Sequence, residues 1–149
     1  MKKIAILFVM ILSMAGLTAC ANESNTSSNE DQKLTIKMEM NANYSNTDPF
    51  ENGRLFCVSE DMETLDAEVS FQMDGESGIV EIKDKNADEV LWSKTWEENV
   101  SDDVLTIMLE NLQKDKEYVV EFTGTKINYA VVRVTFDSNL VREKSRSSK

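Results

Sequence analysis

The ten residues 65–74 read LDAEVSFQMD, and apolar and polar side chains alternate along them without a break. In an extended strand, successive side chains point to opposite faces of the sheet, so this pattern predicts one face on a core and one in water. Strands that are wet on one side are typical of antiparallel sheets, because parallel sheets are covered on both faces. The stretch therefore predicts a strand of an antiparallel sheet.

Similar strand patterns recur along the chain at short spacing. Further strand candidates are residues 34–40, 55–59, 78–83, 90–96, 104–109, 117–123 and 129–136. The polar turn 84–89 between two of them predicts a hairpin. The apolar spacing within 102–112 also fits a helix, but Val, Thr and Ile at its centre favour a strand. About eight strands without a long helix predict an all-β protein, an antiparallel β-sandwich of jelly-roll or immunoglobulin-like type.

The N-terminus carries the parts of an export signal. Lys2 and Lys3 precede an apolar run, residues 4–19, that ends in small residues just before Cys20. A membrane-spanning helix needs about 20 predominantly apolar residues, and this run is shorter and interrupted. We therefore predict that residues 1–19 are a signal peptide that is removed. The alternative is an uncleaved membrane anchor.

The four residues Leu17-Thr18-Ala19-Cys20 resemble a lipobox, the motif at which bacterial signal peptidase II cleaves lipoproteins. The resemblance implies that Cys20 becomes the lipid-carrying first residue and holds the protein to the extracytoplasmic face of the cell membrane. Each buried methylene contributes about 0.8 kcal/mol, so two acyl chains hold far better than one. The short leader and the Asn, Lys and Glu usage favour a Gram-positive envelope.

Two polar segments flank the expected domain, residues 34–140. Residues 21–33 read ANESNTSSNEDQK and cannot bury enough apolar surface to fold, so residues 20–33 are predicted to be a flexible tether. Residues 141–149 are rich in Lys and Arg and predict a disordered basic tail. The alternative for the tail is contact with anionic wall polymers or lipid headgroups.

Charge and composition exclude several functions. The full chain has a formal net charge of −11, and loss of the two leader lysines leaves −13 on the mature side chains. Such an acidic body disfavours nucleic acid as a partner and is compatible with cationic ligands or simple solubility. The chain has no histidine, which excludes Ser-His-Asp or Cys-His catalysis and a histidine-based zinc site.

The second half of the chain resembles a known class of exported modules. The strand pair VEIKD (80–84) and VLWS (90–93), the run LQKDKEYVVEFTGT (112–125) and the strand YAVVRVTF (129–136) follow one another. This layout is similar to pre-peptidase C-terminal-like and CUB-like jelly rolls of bacteria. The resemblance covers roughly residues 78–136 and implies a β-sandwich in an exported setting. It implies no catalytic residues.

Aromatic side chains give one candidate binding site. Trp92 and Trp96 lie four apart, so in a strand they share a face with Val90. With Tyr44 and Phe50, from the long loop 41–53, and with Tyr129, they would form a platform for a sugar or a peptide. The alternative is that Trp92 lies in the core and Trp96 closes the end of the sandwich.

Acidic residues and the second cysteine give weaker candidates. The pair Asp102 and Asp103 could join other acidic loops in a calcium site, as in CUB-like modules. Residues 84–89 begin like an EF-hand loop, but Glu89 replaces its glycine and Thr95 its bidentate Glu, so a polar turn is favoured. Cys57 remains once Cys20 is lipidated, and we expect a buried thiol, the alternative being a reactive one.

These patterns predict a lipid-anchored binding or interaction module at the cell envelope, with no enzymatic activity. Its partners would be the bilayer, through Cys20, and an envelope protein or glycan. One alternative is a structural or immunity-type lipoprotein that occupies a partner protein, and another is a small hydrolase that uses paired acids. A flat apolar patch indicates the protein-binding class, and a concave or aromatic patch indicates ligand binding.

Overall fold

The computed structural model describes residues 32–41 and 48–145, and within these ranges all regular structure is β. Nine strands are formed where about eight were predicted, and the all-β class is confirmed. The strands are β1 (Thr35–Asn41), β2 (Phe50–Val58), β3 (Met62–Asp74), β4 (Ser77–Asp84), β5 (Glu89–Glu97), β6 (Val100–Leu112), β7 (Tyr118–Thr125), β8 (Tyr129–Phe136) and β9 (Val141–Lys144).

The strands form two antiparallel sheets. The first has the order β1-β8-β3-β6, and the second has the order β5-β4-β7-β2-β9. The inner faces supply one hydrophobic cluster that draws on both sheets, as expected of a sandwich. The predicted hairpin is present as β4 and β5, which pair from Ser77 with Glu97 to Asp84 with Glu89. The chain passes between the sheets from β5 to β6, so these two strands lie along the same side of the sandwich.

The alternation in residues 65–74 produces the expected burial. Leu65, Ala67, Val69, Phe71 and Met73 are each no more than 2% exposed, while the residues between them face outward. Residues 102–112 form a strand rather than a helix, and Leu109 and Ile107 face the core as predicted. A period of two therefore located the inner face of both long strands correctly.

Gly78 allows the two sheets to approach beside the tryptophan of β5. It pairs with Trp96, and a Cβ atom at this position would lie 2.8 Å from both Phe71 Cζ and Met73 Sδ. Side-chain carbons do not tolerate such distances, so a larger residue would displace the aromatic packing. The glycine serves a close approach between the sheets.

Two predicted boundaries are wrong. The tail does not begin at 141, because Val141–Lys144 form β9, which pairs with β2, and Val141 is 1% exposed. Burial of this valine and the added ladder stabilise a strand despite the charged residues that follow. Residues 50–53, predicted as loop, belong to β2, which pairs with β7 from Phe50 onward. The leader, Cys20, residues 21–31 and 146–149 lie outside the described residues. In the part that the structure describes, no helix has the length and apolarity needed to cross a membrane.

Candidate functional site

A hydrogen-bonded aromatic cluster closes the sandwich where β5 meets β6. Trp96 is 6% exposed and stacks on Phe71 with ring centroids 4.2 Å apart. Its indole Nε1 donates to Asp103 Oδ2 at 2.6 Å, and Lys94 Nζ donates to the same oxygen at 2.8 Å. Lys94 also lies 4.9 Å from the centroid of the indole ring, within cation–π range. The cluster therefore joins the edges of the two sheets.

The carboxylate of Asp103 accepts both of these hydrogen bonds. The hydrogen bonds from Lys94 and Trp96 lower the pKa of Asp103, although desolvation opposes them. Asp102, the other calcium candidate, is exposed. Among residues 32–41 and 48–145, no group of three or more cysteine or acidic side chains is placed to hold a metal ion. The pair is therefore not assembled into a calcium site by the described part of the chain.

The predicted aromatic platform is not brought together by the described residues. Trp92 and Trp96 do share a face, opposite Ile82 and Gly78, but a register shift in the β4–β5 pair places Val90 opposite Lys83 and off that face. Trp92 is half-buried. Phe50 lies on β2, three strands from β5, and at ~4.8 Å per strand the separation is about 14 Å. Tyr44 lies outside the described residues.

A buried carboxylate fixes the turn after β6 to the hairpin. Asp84 is 3% exposed, and its Oδ1 accepts the backbone N–H groups of Asn86 and Ala87, while Oδ2 accepts Lys116 Nζ at 3.0 Å. Burial by itself raises the pKa of Asp84, but the hydrogen bonds from Lys116 and the two amides outweigh it and hold the pKa below its usual value. This arrangement accounts for the acidic turn that resembled an EF-hand loop.

Beside Asp84, Glu117 forms a second ion-pair cluster. Its two carboxylate oxygens accept Lys144 of β9 and Lys85 of the hairpin turn. Hydrogen bonds from Lys144 and Lys85 lower the pKa of Glu117. Both clusters fix loops at the same end of the second sheet, and each carboxylate is paired with at least one lysine. We therefore assign these two ion-pair clusters a structural role and do not treat them as binding sites.

Cys57 is buried, as predicted, but it is not the lone thiol that the sequence suggested. Its neighbours Phe56 and Val58 are buried in the core cluster, so Cys57 points to the opposite face of β2, where it is 3% exposed. Cys57 is disulfide-bonded in the structure. A disulfide at this position differs from the expected thiol.

The edge strand β6 presents its backbone to solvent in a defined register. The backbone N–H of Asp137, after β8, donates to Asp66 O of β3 at 2.8 Å, so the backbone groups of Asp66 face β8. Asp66 pairs with Met108 on its other side, and this pair is therefore of the non-hydrogen-bonded type. The N–H and C=O of Met108 point away from β3. By alternation, the same holds for Val104, Thr106 and Glu110.

The same residues of β6 place apolar side chains on the outer face of the first sheet. Val104 and Met108 are each 53% exposed, with the exposed Thr106 between them. On the adjacent strand β3, the corresponding outward residues are polar: Asp66, Glu68, Ser70, Gln72 and Asp74. The outer face of the first sheet is therefore polar along β3, whereas along β6 it carries two exposed apolar side chains.

The other sheet edges carry features that discourage strand addition. β1 contains Lys37, β5 contains Lys94, and β9 has four residues, among them Arg142 and Lys144. Lysines and short strands are common protections of an exposed edge. In contrast, β6 is 13 residues long and contains no Lys, Arg, Pro or Gly, and its register shift against β3 lies near its start, before Asp103. The open edge of β6, residues 102–110, is therefore the candidate binding surface, here called the β6 edge.

Sequence reasoning predicted the strand but missed this surface. The pattern that made residues 102–112 fit both a helix and a strand was the signal, since Val104 and Met108 add apolar positions to the outer face. Apolar residues on both faces are expected of a strand that is covered on both sides, and at an exposed edge they mark a candidate binding surface. Only the sheet order places β6 at an edge.

Comparison with protein families identifies a family without an assigned activity. The family model described as "Domain of unknown function (DUF4624)" matches residues 19–148. The match covers most of the chain, so the chain belongs to this family. No curated protein matches it.

Proposed function

We propose that this DUF4624 protein is a lipid-anchored module on the extracytoplasmic face of the cell membrane, where it binds a partner protein through the β6 edge. The leader with Lys2 and Lys3 and the sequence Leu17-Thr18-Ala19-Cys20 support the anchor. The family match begins at Ala19, next to the proposed cleavage site. The polar residues 21–33 would act as the tether between Cys20 and β1.

The exposure of Val104 and Met108 carries the binding part of the proposal. Two half-exposed apolar side chains beside an accessible strand backbone are typical of a surface that another protein covers. A sugar-binding platform is less well supported, because Trp96 is buried and its N–H already donates to Asp103. A protein partner is thus favoured over a glycan.

Lipidation of Cys20 restricts which disulfides the chain can form. Lipidation converts the sulfur of Cys20 to a thioether, which cannot also form a disulfide. The chain has two cysteines, so a molecule lipidated at Cys20 cannot contain a Cys20–Cys57 disulfide. The covalent state of Cys20 therefore distinguishes an anchored protein from one with an internal disulfide.

The anchor is tested by fractionation and intact mass of the full-length protein expressed in a bacterium. We expect membrane association, a mass that shows loss of residues 1–19 and gain of acyl groups, and labelling by a fatty-acid analogue. Cys20→Ala should abolish the acyl mass and the label, while Cys57→Ala, the matched control, should retain both. An unacylated wild-type chain, or a disulfide-linked Cys20–Cys57 peptide as the main species, would contradict the anchor.

The binding surface is tested by site-specific photocrosslinking in the native envelope. A photoreactive residue replaces Met108 on the β6 edge, or Lys37 on β1, the opposite edge of the same sheet. We expect a discrete crosslinked protein from position 108 and none from position 37. Equal crosslinking from both positions, or from position 37 alone, would place the partner elsewhere.

A further inference from the structure

We propose that the β6 edge accepts an extended, positively charged strand of the partner protein, which adds to the first sheet beside β6. The inference rests on the proposed function in one respect only, that the module has a protein partner. It names the chemistry that the partner must supply: a backbone ladder, apolar side chains at alternate positions, and a basic residue at each end.

The backbone geometry provides the ladder. Val104, Thr106, Met108 and Glu110 direct their N–H and C=O groups away from β3, as the pairing of Asp66 with Met108 requires. No described strand pairs with that side of β6. A partner strand can therefore form hydrogen bonds without breaking any bond of the sheet, as in strand-addition complexes.

The side chains provide selectivity. On the outer face, the apolar positions Val104 and Met108 flank Thr106, and the exposed acids Asp102 and Glu110 lie beyond them at the two ends. Cross-strand neighbours of opposite charge are favourable, and like charges directly opposite each other are unfavourable. A strand with apolar residues opposite the centre and Lys or Arg opposite the ends would fit this face.

A second copy of the chain fits the same edge poorly if all of residues 102–110 are to be paired. An antiparallel β6–β6 pair centred on Thr106 would bring Val104 opposite Met108, which is acceptable. It would also place Asp102 of each copy opposite Glu110 of the other, giving two acidic pairs. The charge pattern therefore favours a different, cationic strand.

The probe is a nine-residue synthetic peptide that matches residues 102–110 in length. Its sequence is Lys-Thr-Val-Thr-Val-Thr-Val-Thr-Lys with blocked termini, so both lysines and all three valines share one face. A control peptide carries Glu in place of both Lys. Binding to the purified full-length protein is measured by fluorescence anisotropy of the labelled peptide, at low and at high salt. The measurement does not depend on whether the chain is anchored, so failure of the anchor and failure of this proposal are separable.

We expect the Lys peptide to bind with a Kd below ~1 mM and about tenfold tighter than the Glu peptide, with the difference reduced by salt. The double variant Asp102→Lys and Glu110→Lys should reverse this preference. Thr106→Pro should abolish binding of both peptides, because it removes an N–H that faces the open edge and leaves the ladder with β3 intact.

Each outcome decides the proposal. Reversal of the peptide preference by the double variant supports it, even if Thr106→Pro prevents folding. Absence of binding of the Lys peptide to the wild-type protein overturns it, as does equal binding of the two peptides at low salt. A wild-type dimer in sedimentation that Asp102→Lys and Glu110→Lys alters would assign the edge to a second copy, and would overturn the assignment to a cationic partner.

Discussion

The strands β3 and β6 have the same length, 13 residues, and pair with each other along most of it. Their inner faces are alike, since both bury aliphatic or aromatic side chains in one core. Their outer faces differ. β3 presents polar residues and bonds to β8 on its second side, whereas β6 presents Val104 and Met108 and has no described strand on its second side.

The difference shows that position in the sheet, not strand pattern, decides what a strand can do. A central strand has used all of its backbone groups, so its outer face needs only to be compatible with water. An edge strand retains a row of donors and acceptors, and natural proteins usually protect it. An edge that is long, free of lysine and carries two exposed apolar side chains is better explained by a binding role than by the needs of folding.

The largest expected losses of stability concern the buried inner faces, which the two strands have in common. Phe71→Ala in β3 should lower the free energy of unfolding by about 3–5 kcal/mol, and Leu109→Ala in β6 by about 2–5 kcal/mol, because both side chains are fully buried. Met108→Ala, next to Leu109 but outward-facing, should change it by less than ~0.5 kcal/mol. Denaturant unfolding measures all three. A large loss in Met108→Ala would mean that the outer face is already packed.

A smaller effect tests how the end of β6 is held. The pKa of Asp84 is lowered in the folded state, so its ionised form stabilises the fold at pH above the unfolded value, about 4, and this contribution is lost as the pH falls through the folded pKa. Asp84→Asn retains the acceptor for the turn amides but loses the ion pair with Lys116. We expect it to cost about 1–2 kcal/mol at pH 7.

The pH dependence distinguishes this ion pair from a general effect of charge. The stability difference between wild type and Asp84→Asn should narrow as the pH falls below the unfolded pKa, about 4, and toward the lowered folded pKa of Asp84. Asp88→Asn removes a carboxylate from an exposed position in the same turn and serves as the matched control. A constant difference across this range would show that Asp84 acts through its shape rather than its charge.

The hydrogen-bonded cluster between β5 and β6 should contribute a still smaller amount to stability. Asp103→Ala removes the acceptor of the buried Trp96 N–H and the partner of Lys94. We expect the thermal midpoint to fall by a few degrees and the tryptophan fluorescence to change. Asp102→Ala, one residue away and exposed, should alter neither. Equal effects of the two substitutions would argue against the hydrogen bond.

The sequence predicted what is local and missed what depends on pairing. The alternation in 65–74 and 104–109 located the inner faces because side-chain direction follows from the strand itself. Whether β6 lies at an edge, and whether Cys57 finds a disulfide partner, depends on residues far away in the chain. β9 was missed because Arg142, Glu143 and Lys144 resemble a solvated tail, and only pairing with β2 makes them a strand.

The aromatic site shows the same limit. The spacing of Trp92 and Trp96 correctly placed both on one face of β5. It could not show that Trp96 would be buried against Phe71, which comes from the other sheet, or that Phe50 would lie on a distant strand. A period of two gives the face of a residue, and only the order of the strands gives its neighbours.

The last test needs no substitution. It compares β3 and β6 directly by amide hydrogen exchange of the wild-type protein. In β6, the amides of Val104, Thr106 and Met108 face the open edge, while those of Leu105 and Ile107 face β3. We expect the first group to exchange at least about a hundredfold faster than the second. In β3, which pairs on both sides, neighbouring amides should be protected alike.

Adding the lysine-ended peptide should slow the exchange of the edge amides of β6 alone. Uniform protection along β6 without any peptide would mean that its edge is already covered, and the contrast between the two strands would then not exist.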